Sequence, residues 1–193
     1  MLGHTHALFG ITTLAVVEAL SAGRLIQEHV IYGVPAGVAL CAGAAIFGAL
    51  LPDLDADDST IQRELGSLGL LARLGLQLLA VKHRGVLHSG LATVIVTVLA
   101  VGLGWYGGYP DVGLALGLGY ASHVILADAM TRSGVPLWWP ARQKFHVLPK
   151  GLRIRTGGPI EYLLFGLVAL FLFTLIPVLL PPNLFKFILR SVF

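Results

Sequence analysis

The chain has 193 residues, of which 56% are hydrophobic and 12% charged, with a net charge of +3 and a mean hydropathy of +0.83. That balance excludes a soluble domain of this length and fits an integral membrane protein. Cys41 is the single cysteine, which excludes an internal disulfide; inside an apolar run it reads as a packed core thiol.

The first apolar run, residues 7–22, carries Glu18 and follows His6. No basic segment precedes it, so no cleavable signal peptide is expected. Residues 30–51 hold no charge over 22 positions, enough to cross a bilayer as a helix. They lead into Pro52-Asp53-Leu54-Asp55-Ala56-Asp57-Asp58. Pro52 disfavours helical geometry in the residue before it. The four carboxylates repel one another unless a cation or solvent separates them. Asp57 and Asp58 read as a solvated acidic loop. Asp53 and Asp55 stand at the helix end, where acids oppose the helix dipole and a bound cation would offset that cost. Both are candidate metal ligands.

Residues 65–81 are apolar apart from Arg73 and Gln77, but number only 17 and follow a polar loop. They are expected to form an interfacial or re-entrant helix. If they spanned instead, Asp53 and His83 would lie on opposite faces of the membrane. The segment Lys82-His83-Arg84-Gly85-Val86-Leu87-His88-Ser89 places two histidines around a glycine turn at the start of a helix. Imidazole binds zinc or a similar metal through either nitrogen, so His83 and His88 are candidate ligands. Arg84 can hold a phosphate bidentately, or can pair with a lipid headgroup or the 55–58 loop.

Residues 89–109 read as a further span. Residues 112–127 form another, bounded by Asp111 and Asp128 and holding His123. An intramembrane His and Asp mark function by default; the competing role is a polar pair that locks two helices. His123 would lie about 7–8 Å deeper than Asp128, which makes the site a recess at headgroup depth. Five positions amount to about 140° round an ideal α-helix, so only one of the two side chains could face the site unless a π-bulge lies between them.

Residues 131–158 form a long proline-bearing loop, with Trp138 and Trp139 suited to a membrane–water boundary. Glu161 opens the last span, residues 162–180, either as an acid favoured by the helix dipole or as a proton acceptor. Residues 183–193 mix Phe and Leu with Lys186 and Arg190 and read as a short interfacial helix.

The expected fold is an all-α integral membrane helical bundle. It comprises about five transmembrane helices plus an interfacial or re-entrant helix, in one domain over residues 1–193. Alternating helix direction then brings His6, Asp53, Asp55, His83, His88, His123, Asp128 and Glu161 to one face. That side carries ten Lys and Arg residues against three on the other. The bias places the face in the cytoplasm and the protein in the plasma (inner) membrane. Glycine inside the spans predicts close helix approach.

Taken together, His6-Ala7-Leu8-Phe9-Gly10, Leu51-Pro52-Asp53-Leu54-Asp55, His83-Arg84-Gly85 with His88-Ser89, and Gly119-Tyr120 through Ser122-His123 to Asp128 resemble the YdjM-like family of membrane-bound, metal-dependent hydrolases. Residues 131–140 (Thr131, Gly134-Val135-Pro136, Trp139-Pro140) extend the likeness over nearly the whole chain. The resemblance implies metal-dependent hydrolysis and a distant similarity to zinc-dependent phospholipase C and P1-type nuclease. It implies His6, Asp53, His83, His88, His123 and Asp128 as ligands, and Asp55 as ligand or base. In the family the intramembrane His and Asp are four apart; here they are five apart.

The function expected is hydrolysis of a phosphoester bond in a lipid or lipid-linked substrate. Zinc, one ion or more, would activate water. Asp55 or Glu161 would take the proton, and Arg84, with Arg142 or Lys144, would bind phosphate. Membrane lipids are expected partners and nucleic acid is not; oligomeric state is left open. The alternatives are a metal-ion transporter or sensor, whose polar groups should run through both halves of the bundle, and a structural membrane protein whose polar cluster serves packing.

Overall fold

The apolar runs fold as helices whose ends carry the polar motifs. The computed structural model describes residues 1–32, 34–56, 59–78, 85–141 and 143–179. Helix α1 (Gly3–Leu20) leads through a small antiparallel hairpin, β1 (Val30–Ile31) with β2 (Val34–Pro35), into α2 (Gly37–Leu50). A 3-10 turn, Leu51–Asp55, follows with Pro52 near its start. Short α3 (Thr60–Leu65) is capped by Ser59, whose hydroxyl accepts the Gln62 N–H at 3.4 Å. Gly66, at φ 55°, breaks the chain before α4 (Ser67–Leu78).

A second 3-10 turn, Val86–His88, precedes α5 (Gly90–Gly107), which Ser89 caps by accepting the Ala92 N–H at 3.1 Å. Gly108 in the left-handed region ends α5, and Pro110 opens α6 (Pro110–Ala121) after one intervening residue. That tight connection makes α5 and α6 antiparallel neighbours. The axis of α6 continues through a π-helical stretch, Ser122–Ala127, and a 3-10 turn, Asp128–Met130. Helix α7 (Pro159–Leu179) is the last described element.

Among the described residues, four stretches are long and apolar enough to cross a membrane: Gly37–Asp55, Gly90–Gly107, Pro110–Met130 and Pro159–Leu179. The fifth expected span, α1, has the same 18 residues as α5. Its polar content has a structural reason: His6 and Glu18 are both buried, near opposite ends, where α1 packs against α2, α6 and α7. Helix α4 covers most of the described part of residues 65–81. Its described part packs on the Leu51–Asp55 turn while Leu68, Leu70, Leu71 and Leu74 stay exposed, as on an interfacial helix.

Glycine lets backbones touch where the bundle is tightest. A Cβ at Gly119 would collide with the Ala45 carbonyl, and one at Gly48 with the Leu116 carbonyl, so α2 and α6 meet backbone to backbone. At the end of the bundle away from the histidine motifs, Asp111 accepts from the Gln27 N–H at 2.9 Å, faces His29 Nε2 at 2.9 Å and accepts from the Cys41 thiol at 3.4 Å. Glu18 accepts the Leu25 and Ile26 N–H groups at 3.0 and 3.1 Å. These buried acids fasten the α1–α2 connection; between them and the opposite end lies an apolar layer of Leu14, Cys41, Ala45 and Ala115.

The 131–158 loop folds back over the motif-bearing end. Val135 and Phe145 exchange both backbone hydrogen bonds, and the Gly90, Arg132, Val147 and Ile154 N–H groups bond to the Leu137, Ile154, Ala129 and Met130 carbonyls. Val135 and Ile154 are buried by this fold-back.

Candidate metal centre

His6 comes from the first turn of α1, Asp53 from the turn after α2, His88 from the turn before α5, and His123 and Asp128 from the tail of α6. Their donor atoms converge. His88 Nε2 lies 3.4 Å from Asp53 Oδ1 and 3.6 Å from Asp128 Oδ2. His123 Nε2 lies 3.7 Å from Asp53 Oδ1, 3.8 Å from Asp128 Oδ2 and 3.3 Å from His88 Nε2. His6 Nε2 lies 3.9 Å from Asp53 Oδ2 and 3.6 Å from Asp128 Oδ1. Two overlapping sets, His6–His123–Asp128 and Asp53–His88–His123, each bring one donor atom per residue close enough to share a cation.

Each side chain is aimed by its local structure. The His123 Nδ1–H donates to the Ala49 carbonyl at 2.6 Å, which assigns the tautomer and turns the Nε2 lone pair inward. The His6 ring stacks on that of His123, with centroids 3.7 Å apart and planes 11° from parallel. The Tyr120 hydroxyl donates to the Leu87 carbonyl at 2.6 Å, which pins the turn that carries His88. The π-helical stretch meets the condition set by the spacing of five: it carries His123 and Asp128 round to the same side.

The donor chemistry fits a divalent cation. Bonds of about 2.1 Å to a tetrahedral ion set ligand atoms about 3.4 Å apart, and the observed separations run from 3.3 to 3.9 Å. Two neutral imidazole nitrogens facing at 3.3 Å share at most one proton, whereas a cation between them satisfies both lone pairs. Two carboxylates are set in a largely buried site, where the Met1 α-amino group lies 2.9 Å from Asp128 Oδ1.

The other expected residues that are described belong to neither donor set. Asp55 is buried but belongs to neither donor set. Glu161 is buried with one oxygen accepting the Leu2 N–H at 2.6 Å and the other the Gly157 N–H at 2.8 Å; it fastens the start of α1 to the loop before α7. His83, Arg84 and Arg142 fall outside the described residues. His4 packs edge-on against Phe165, and His146 Nε2 faces the Arg132 carbonyl on the exposed side. Sequence reasoning missed the backbone partners: the Ala49 carbonyl, and the Met1 carbonyl 3.1 Å from His6 Nε2. Backbone groups leave no signature in residue type, so nothing in the sequence marked them.

Comparison with known proteins agrees with the membrane architecture. The chain is 39% identical over 109 residues to the inner membrane protein YdjM of Escherichia coli (strain K12), covering 54% of this chain and 51% of the relative. It has the same identity and coverage with inner membrane protein YdjM of Shigella flexneri. The chain thus matches about half the length of these curated relatives. No solved structure matches it. The model of the YdjM inner membrane protein family matches residues 1–182, and the chain belongs to that family.

Proposed function

We propose that this protein is an integral membrane hydrolase that cleaves a phosphoester bond in a lipid or lipid-linked substrate, at the cytoplasmic face. The observation that carries the reading is the convergence of three imidazole Nε2 atoms and two carboxylates at 3.3–3.9 Å, at the end of the apolar helices. His6, Asp53, His88, His123 and Asp128 would hold zinc or a similar ion, one or more. Such an ion supplies a water of lowered pKa and charge to offset a phosphoryl oxygen. A distant similarity to zinc-dependent phospholipase C and P1-type nuclease belongs to this reading.

The chain's own groups divide the remaining work. Asp53 is the ligand with a partly exposed side chain, at 19%, whereas the His and Asp around it are at most 1% exposed. Substrate therefore arrives on the Asp53 side. His6, His88, His123 and Asp128 stay dry, which strengthens their hold on charge. Asp55, on the same Leu51–Asp55 turn as Asp53, is the candidate proton acceptor; Glu161 spends one oxygen on each of two backbone N–H groups. Transport or sensing has less support. The Leu14–Cys41–Ala45–Ala115 layer is apolar, and Glu18 and Asp111 are engaged in fastening the far-end connection.

The test is elemental analysis of the purified protein and of Asp53→Ala, with headgroup or phosphate release from phospholipid vesicles. Bound zinc or a similar metal, lost in Asp53→Ala, with release abolished by chelator and by His88→Ala, is the expected result. A metal-free protein of unchanged stability would sink the reading.

A further inference from the structure

Two cavities meet beside Asp53. A pocket of about 280 Å³ reaches Asp53 and is lined by Ala56, Ser59, Arg63 and Thr156. A groove of about 510 Å³ runs between α1 and α2, walled by Ala7, Gly43, Ile46 and Phe47. The two share Gly3, Leu50, Thr60 and Ile61 as lining residues, so they adjoin. The pocket end offers hydroxyls, a carboxylate and a guanidinium; the groove end is largely hydrocarbon, with His4 and Glu64 as its ionisable lining groups.

Gly43 distinguishes this groove from a packing seam. A Cβ at Gly43 meets nothing within 4 Å, whereas one at Gly48, on the same helix, would run into the Leu116 backbone. Helix packing therefore requires glycine at 48 and not at 43. At 43 the missing side chain leaves the groove open.

Building on the hydrolase reading, we propose that the α1–α2 groove seats an acyl chain of a phosphate-bearing lipid substrate while its headgroup fills the Asp53 pocket and pairs with Arg63. The contrast in polarity between the adjoining cavities matches the two halves of such a molecule. Arg63 complements a phosphate in charge and can bind it in a fork. The groove flanks a span, Gly37–Asp55, so a lipid can enter sideways from the bilayer with its chain kept in an apolar setting.

The experiment uses the full chain in phosphatidylglycerol vesicles containing a trace of a phosphatidyl lipid with a photoactivatable group on one acyl chain. Crosslinks are mapped by mass spectrometry. Labelling is expected to concentrate on Ala7, Ile46 and Phe47, to drop several-fold in Gly43→Phe and Gly43→Leu, and to stay constant on the outer face of α5 at Val98 and Leu99. Arg63→Gln should lower groove labelling by the phosphatidyl probe but not by the matching diacylglycerol probe. The ratio of long-chain lipid turnover to turnover of a short water-soluble phosphodiester should fall about tenfold or more in Gly43→Phe.

Groove labelling no stronger than that of the α5 face, or unchanged in both Gly43 variants, overturns the proposal. Binding is read in Asp53→Ala and in chelator as well, where the labelling pattern should persist. Groove labelling with no hydrolysis under any metal would overturn the hydrolase reading and leave the lipid seat standing. Hydrolysis without groove labelling would do the reverse.

Discussion

His123 and Asp128, five residues apart in the chain, bring Nε2 and Oδ2 to 3.8 Å of each other through a π-helical stretch. A π-bulge amounts to one extra residue in an α-helix. Removing Ile125, which is 39% exposed on the outer side of this stretch, should let the helix close as α with both side chains still on one face. We expect the Ile125 deletion to keep its metal, measured by elemental analysis, while one residue inserted at the same place loses it. A deletion as metal-poor as His123→Ala would refute this account of the bulge.

Gly119 stands against the Ala45 carbonyl, one turn before His123. Alanine gains about 1 kcal/mol in helix propensity over glycine. Overpacking costs about 1–3 kcal/mol or more, and here the obstacle is backbone rather than a movable side chain, so the cost should win. Gly119→Ala is expected to lower the melting temperature in detergent and to weaken metal retention. Gly43→Ala, in open space, serves as the control and should melt no lower than the parent. Equal melting of all three proteins would count against the close α2–α6 contact.

Glu161 separates a catalytic role from a fastening one. As a fastener it needs an acceptor oxygen, not a charge. Glu161→Gln should keep one of its two backbone bonds and most of the activity, whereas Glu161→Ala should lose about 1–3 kcal/mol per orphaned N–H group. Activity and chemical or thermal unfolding of the two variants decide the matter. Near-complete inactivation by Glu161→Gln in a protein of normal stability would restore it as the base.

Asp111 makes its contacts at the opposite end of the bundle. Asp111→Ala leaves the Gln27 N–H and His29 without their acceptor, and should destabilise by about 1–3 kcal/mol for each buried group stranded. Metal content should match the parent protein, because the apolar layer lies between the two ends. Loss of metal in a folded Asp111→Ala protein would join the two ends functionally and revive the transport reading.

Much of this arrangement was legible because a bilayer imposes simple rules. Uncharged runs became helices, and polar residues at their ends fell on one side. The misfit of about 140° between His123 and Asp128 demanded a bulge, which the structure has. Residues 65–81 were readable as interfacial from the polar loop before them, and exposed leucines on α4 fit that. Glu161 and Asp55 were less legible. Their residue type suits both ligation and the capture of backbone N–H groups, and only the path of the chain decides between these. The same holds at the other end: Cys41 was readable as buried, but its contact with Asp111 was not.

The bond from His123 to the Ala49 carbonyl joins the centre to the bundle's mechanics. Ala49 follows Gly48 on α2, and Gly119 lies one turn before His123, so the imidazole hangs from the seam where α2 and α6 meet backbone to backbone. Any shear along that seam swings the ring and detunes the cluster. A displacement of α2 against α6 would therefore reach the donor cluster through this one bond.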